Sequence, residues 1–134
     1  MKIQIEILGD PAPQGSKRII YGRIVEASSE KLKKWRRAIA EACVEARKSQ
    51  DNFFTEAVRV DAIFYLPRPR TVKQEKREYP IVPPDVDKLA RGLLDGIGQS
   101  QMIWGDDSQV IELSVKKLYD DQHPTGASVT ISAL

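Results

Sequence analysis

Between residues 30 and 48 the apolar side chains Trp35, Ile39, Ala42, Cys43 and Ala46 recur at intervals of one, three or four, and most positions between them are charged. That spacing puts a single apolar stripe on a helix, with Ser28 or Ser29 as its N-cap and Glu30 in its first turn. A helix with one stripe has no core of its own and must lie on another apolar surface. A second stripe, Val86, Leu89, Ala90, Leu93 and Ile97, follows Pro83-Pro84, which predicts a helix from about Asp85 to a stop at Gly96-Ile97-Gly98.

The partner surface is written in the remaining segments. Residues 2–8 alternate apolar and polar, and 58–66 are rich in β-branched and aromatic side chains. Ile111, Leu113 and Val115 share one face of a strand predicted over 108–119, and a last strand over 127–133 follows the turn signal His123-Pro124-Thr125-Gly126. Two short extended pieces, 18–21 and 23–26, meet at Gly22. The order is βββαβαββ. It predicts an α+β fold, a mixed β-sheet with helices packed on it, in one small domain over residues 1–134.

Apolar content of 41% and charged content of 30% fit a globular protein with one core. No apolar run reaches the roughly 18 residues of a membrane span, and the alternating N-terminus reads as a strand rather than a signal peptide. Cys43 is the single cysteine and falls on the helical stripe, so it is expected in the core. One cysteine cannot form an internal disulfide, which fits a reducing, cytoplasmic setting. Residues 66–84 carry five prolines and little periodicity, and are expected to form a long, mobile loop of the kind that carries function.

The net charge of +2 says little about partners, but its distribution says more. From Pro13 to Arg37 eight basic residues face Glu26 and Glu30; from Arg68 to Glu78 five basic residues face two acidic ones. Clustered Lys and Arg are either an ordinary solvated face or the footprint of phosphate binding. On the second reading the candidate DNA contacts are Lys17, Arg18, Arg23, Lys33, Lys34, Arg37, Arg68, Arg70 and Lys73.

Within this basic chain lie two acidic clusters, Pro84-Asp85-Val86-Asp87 and Trp104-Gly105-Asp106-Asp107. Each has a bland reading. Asp85 can cap a helix, Asp87, Arg91 and Asp95 can form i,i+4 pairs, and Asp106-Asp107 can form a turn. Together they suggest more, because bare carboxylates repel phosphate unless a divalent cation lies between. Carboxylate oxygens are the hard ligands that Mg²⁺ and Mn²⁺ prefer, and one His with one Cys cannot supply a zinc set. His123 precedes Pro124 in a turn and is expected to be exposed. Gly96-Ile97-Gly98 lacks the Lys-Ser/Thr of a P-loop, and Trp104 is expected in the core.

At these residues the chain resembles the RusA-type Holliday-junction resolvases. Gly9-Asp10-Pro11-Ala12-Pro13-Gln14-Gly15-Ser16-Lys17-Arg18 is similar to the family's Pro/Gly/basic loop, and Leu66-Pro67-Arg68-Pro69-Arg70 to its basic strand end. Pro84-Asp85-Val86-Asp87-Lys88-Leu89 with Leu93-Leu94-Asp95-Gly96 resembles its acidic helix, and Trp104-Gly105-Asp106-Asp107-Ser108-Gln109-Val110 its second acidic motif. Lys117-Leu118-Tyr119 matches its basic strand end. The resemblance implies a homodimer, of bacterial or prophage type, that binds four-way DNA junctions and cuts two opposed strands with Mg²⁺. It carries metal-binding and catalytic roles to Asp85, Asp87 and Asp107. Where the family has a lysine one turn after the second aspartate this chain has Arg91, and where it often has Asn this chain has Lys88. Lys88 or Arg91 is expected to take the electrostatic part of the missing lysine. A non-catalytic binder of branched DNA on the same scaffold is the alternative, and a phosphohydrolase of small substrates a third reading.

Overall fold

The computed structural model describes all residues except Ser16, Ala27, Ser28 and Asn52; of Lys17, Arg18, Ile20, Val25, Glu26 and Ser29 only the backbone is described. The N-cap expected at Ser28 or Ser29 and the phosphate contacts expected of Lys17 and Arg18 therefore lie outside the described residues and side chains.

The chain runs β1 (Lys2–Leu8), β2 (Lys17–Ile20), β3 (Arg23–Glu26), α1 (Ser29–Gln50), β4 (Val58–Leu66), α2 (Val86–Ser100), β5 (Val110–Tyr119) and β6 (Gly126–Ala133). Short 3₁₀ turns at Asp107–Gln109 and Asp120–Gln122 bracket β5. This is the expected α+β order. Four strands form one mixed sheet, β1-β6-β4-β5, in which only the β4–β5 pair is parallel. Parallel neighbours need a long crossover, and α2 with its flanking loops supplies it. β2 and β3 form a separate hairpin that turns at Tyr21-Gly22, both at positive φ (49° and 76°).

The alternation read in the sequence becomes the core. Ile3, Ile5 and Ile7 of β1, Val58, Val60, Ala62, Phe64 and Leu66 of β4, and Ala127, Val129 and Ile131 of β6 face the helices and are buried. Trp35, Ile39 and Cys43 of α1 and Leu89, Leu93 and Ile97 of α2 cover them. Cys43 sits in the core as expected, and burial pushes its thiol up to about 11. Among the described residues no helix lies on the opposite sheet face. Among the described residues, no helix is long and apolar enough to cross a membrane.

Two expectations are corrected here. The Gly96-Ile97-Gly98 run does not end α2, which continues to Ser100 and stops at Gln101 in the left-handed region (φ 58°). The glycines are there for close approach. A methyl on Gly96 would lie 2.9 Å from Cδ1 of Ile39, so the residue lets α1 and α2 touch. The segment after β4 is irregular but held by several contacts. Arg68 turns inward, 13% exposed, and pairs with Asp121 through Nε and Nη2, both at 2.7 Å. The same guanidinium donates to the carbonyls of Val72, Arg77 and Glu78 and lies 4.1 Å over the Tyr119 ring. Arg68, expected among the DNA contacts, is thus committed to holding its own loop.

Candidate functional site

Asp85 occupies the N-cap position of α2 (φ −70°, ψ 143°), and its carbonyl accepts from Leu89 N at 3.1 Å. Its carboxylate makes no capping hydrogen bond. Instead it is 58% exposed, with Lys88 Nζ at 3.8 Å. Asp87, in the first turn, is also exposed. The loop leading to them is fixed from below: Lys117, near the end of β5, donates to the carbonyls of Val82 (2.8 Å) and Pro84 (2.9 Å). The two aspartates therefore stand at the carboxyl ends of the parallel strand pair, the edge where open α/β sheets commonly bind ligands.

On the next turn the backbone N–H of Gln14 donates to Lys88 O at 3.0 Å, which seats the Pro/Gly loop on α2. Buried Gly92 permits this, since a Cβ there would lie 3.2 Å from Ala12 O. Arg91 is exposed and its guanidinium lies against Gly15. Lys88 thus lies beside Asp85, and Arg91, one turn after Asp87, leans on Gly15.

Asp107 is elsewhere. It lies beside Gly98, where a Cβ would be 2.1 Å from Asp107 Oδ1. Asp87 and Gly98 are 11 positions apart in the sequence, which is roughly 16 Å along a helix. Asp107 accepts a hydrogen bond from Trp104 Nε1 at 2.8 Å, so Trp104 is both a buried core residue and the orienting group of this carboxylate. Half-burial, and then the charge and hydrogen-bond contact of Asp95, push Asp107 above the ordinary carboxylate range against the pull of the Trp104 N–H.

Asp95 is held in turn by Gln14 Nε2 and, at 3.7 Å, by Arg36 Nη2. Arg36 also donates to Gln14 Oε1 and to Gln99 Oε1 (2.6 Å). Sequence reasoning left Asp95 unassigned, gave no site role to Gln14 or Arg36, and read Gly98 as part of a helix stop. The i,i+8 spacing from Asp87 to Asp95 was the available signal, but nothing local ties Asp95 to Asp107. Asp106 proves structural. Its carboxylate caps the 3₁₀ turn through Ser108 N (2.9 Å) and the Ser108 hydroxyl, and Gln109 completes a capping box. Those bonds hold Asp106 below the usual carboxylate range.

The chain thus carries two acidic half-sites at opposite ends of α2, Asp85 with Asp87 and Asp95 with Asp107. Their oxygens suit Mg²⁺ or Mn²⁺ chemically. Yet among the described residues no group of three or more acidic, His or Cys side chains is placed to hold a metal ion, so Asp85, Asp87 and Asp107 of one chain do not form a site together. His123 takes no part. Its ring is half-buried, contrary to the exposure expected of it, and stacks on Tyr65 (3.8 Å, 10°) beside Ser128 on the sheet face opposite the helices.

Of the expected phosphate contacts, Arg23, Lys33, Lys34, Arg37, Arg70 and Lys73 are exposed. Lys33 has an ion-pair partner in Glu30 at 3.6 Å.

Among curated proteins the chain is 30% identical over 131 residues to the uncharacterized protein YqaN of Bacillus subtilis (strain 168), covering 90% of this chain and 89% of that one. Among solved structures it aligns with a 2C-methyl-D-erythritol 2,4-cyclodiphosphate synthase from Plasmodium vivax at 16% identity, over 97% of this chain and 89% of that one, with a TM-score of 0.28. It aligns with the bifunctional IspDF of Campylobacter jejuni at 8% identity, over 98% and 41% of the two chains, with a TM-score of 0.27. Neither of these structural scores supports a shared fold. The family model that matches is Endodeoxyribonuclease RusA, over residues 9–132, a span that takes in the Gln14 loop, the uncapped aspartates of α2 and the Trp104–Asp107 turn. The chain belongs to the RusA endodeoxyribonuclease family.

Proposed function

We propose that this protein is a Mg²⁺-dependent endodeoxyribonuclease, with Mn²⁺ as a substitute, that acts as a homodimer on four-way DNA junctions and hydrolyses phosphodiesters in two opposed strands. The observation that carries this reading is a helix cap that does not cap. An N-cap aspartate ordinarily stabilises its helix by about 1 kcal/mol through a bond to the backbone. Asp85 forgoes that bond and stays exposed, as does Asp87, with Lys88 beside it. Membership of an endodeoxyribonuclease family supplies the substrate class.

The separation of the half-sites supports the dimer. Among the described residues β5 pairs with β4 alone and forms a sheet edge, on which Ile111 is 64% and Leu113 44% exposed. An exposed apolar edge strand invites another chain. Two copies meeting antiparallel along β5 set the Asp107 end of one beside the Asp85 end of the other. In that dimer Asp85 and Asp87 of one chain and Asp107 of the second would hold the ion, which when bound polarises the phosphate and activates a water. Lys88 and Arg91 offset charge that develops on the phosphate, and Trp104 and Gly98 fix Asp107. Exposed Lys33, Lys34, Arg37, Arg70 and Lys73 take the arms through phosphates, without sequence readout.

A labelled four-way junction, incubated with and without Mg²⁺, tests this. Paired metal-dependent nicks that disappear in Asp87→Asn while binding persists are the expected result. A second reading, a non-catalytic binder of branched DNA, is favoured by the absence of a three-carboxylate group among the described residues of one chain. Tight binding with no cleavage in Mg²⁺ or Mn²⁺ would select it.

A further inference from the structure

The loop that delivers Asp85 carries a feature that metal chemistry does not use. Tyr79 is 56% and Ile81 81% exposed, side by side on a segment whose intervening Pro80 is buried. Ile81 N donates to Tyr79 O at 2.8 Å, closing a three-residue turn that points both side chains outward around the Pro80 anchor. The turn is braced on both sides. Arg68 donates to the carbonyls of Arg77 (2.6 Å) and Glu78 (3.2 Å) before it, and Lys117 donates to those of Val82 (2.8 Å) and Pro84 (2.9 Å) after it. Arg77 is itself tied to the Tyr119 hydroxyl at 2.8 Å. Three cations and a ring thus hold an apolar tip out in water, where its burial is forgone.

Its surroundings indicate what would cover it. Ile81 is four residues before Asp85, so chain length alone keeps its Cα within roughly 14 Å of the Cα of Asp85. On the other side the same loop exposes Arg70, Lys73 and Lys76, and Lys31 at the start of α1 lines a cavity with Pro83 and Pro84. An apolar tip that falls in the chain between exposed cations and the two exposed aspartates is suited to meet bases rather than backbone. Proteins that kink nucleic acid insert such aliphatic wedges between base steps.

We propose that Ile81 is a wedge that enters a base step at the branch point of the DNA, with Tyr79 and Val82 as its flanks, and so opens the strand next to the phosphate to be cut. This rests on the nuclease reading above. The wedge costs the complex the stacking energy of one step and returns it through the bend that seats the scissile phosphate at Asp85 and Asp87.

The test uses four-way junctions with 2-aminopurine placed in turn at each base next to the crossover, bound by the protein in EDTA. Wild type should raise fluorescence by roughly twofold or more at one position, as a base loses a stacking neighbour. Ile81→Ala should bind yet lose that rise and cleave more slowly, whereas Ile81→Leu should keep both. Thermal melting and sedimentation of each variant accompany the assay; Ile81 is exposed, so neither should change. An equal rise with Ile81→Ala would overturn the wedge, as would wild type that cleaves without any rise. So would loss of the dimer in Ile81→Ala, which would make the tip a contact between copies. Wild type that cuts no branched DNA would sink the nuclease reading itself, and the cleavage lane tells that failure apart.

Discussion

Gly98 of α2 and Asp107 of the following turn are in such close contact that a methyl group on the glycine would lie 2.1 Å from the carboxylate oxygen. A helical Gly→Ala change ordinarily gains about 1 kcal/mol of propensity. Here overpacking opposes it, at a typical cost of about 1–3 kcal/mol. Gly98→Ala is expected to be less stable than wild type by about 1 kcal/mol in urea denaturation, and to lose cleavage because Asp107 is forced off Trp104. Unchanged stability with full activity would contradict the contact.

Asp107 and Asp95 repel each other at neutral pH. A carboxylate whose folded pKa is raised contributes stability that is complete below its unfolded pKa and lost as pH rises through the folded pKa. Asp107→Asn keeps an acceptor for Trp104 and removes one charge. Measured in EDTA, its melting temperature should exceed that of wild type by roughly 1–3 °C at pH 7, a modest gain because the group is partly solvated. The difference should close as pH falls into the carboxylate range. The same variant should not cleave.

The Arg68–Asp121 clasp has the opposite sign. The Arg68 guanidinium holds Asp121 below the usual carboxylate range, so its contribution is present above the unfolded pKa and lost as pH falls through the folded value. Asp121→Asn should lower the melting temperature at pH 7 and converge with wild type in acid. Because the clasp orders the loop before Asp85, limited proteolysis between residues 70 and 79 should also quicken. Junction affinity should fall less than in an Arg70→Ala, Lys73→Ala variant, since Arg68 itself is turned inward.

Lys88 and Arg91 are expected to act on the phosphate. Single alanine variants should lower the cleavage rate by roughly tenfold or more, with smaller effects on junction binding, as for groups that serve the transition state. If turnover were unchanged in both, charge at this corner would have no part in the reaction.

Most of the architecture could be read from the sequence because it rests on local periodicity. The Ile3-Ile5-Ile7 alternation, the β-branched run in β4 and the stripes headed by Trp35 and Leu89 each declare their element within a few residues. Glycine misled because its two uses look alike in one dimension. Gly96 and Gly98 resemble a helix stop, yet they serve contacts with Ile39, 57 positions earlier, and with Asp107 across a turn. Arg68 misled in the same way: a basic loop residue looks free until Asp121, 53 positions on, is folded against it. The aspartates were visible as residues, and their division between two ends of α2 was not, because Asp95, Gln14 and Arg36 meet only in the tertiary structure.

The most direct test of the two-chain site mixes two dead proteins. Asp87→Asn and Asp107→Asn should each fail to nick a labelled four-way junction in Mg²⁺. Co-refolded, they form mixed dimers in which one site joins both altered residues and the other joins intact Asp85 and Asp87 of one chain to intact Asp107 of its mate. Recovery of single-strand nicking in the mixture is the predicted result. A mixture as inactive as its components, with mixed dimers shown by mass spectrometry, would contradict a site built from both chains.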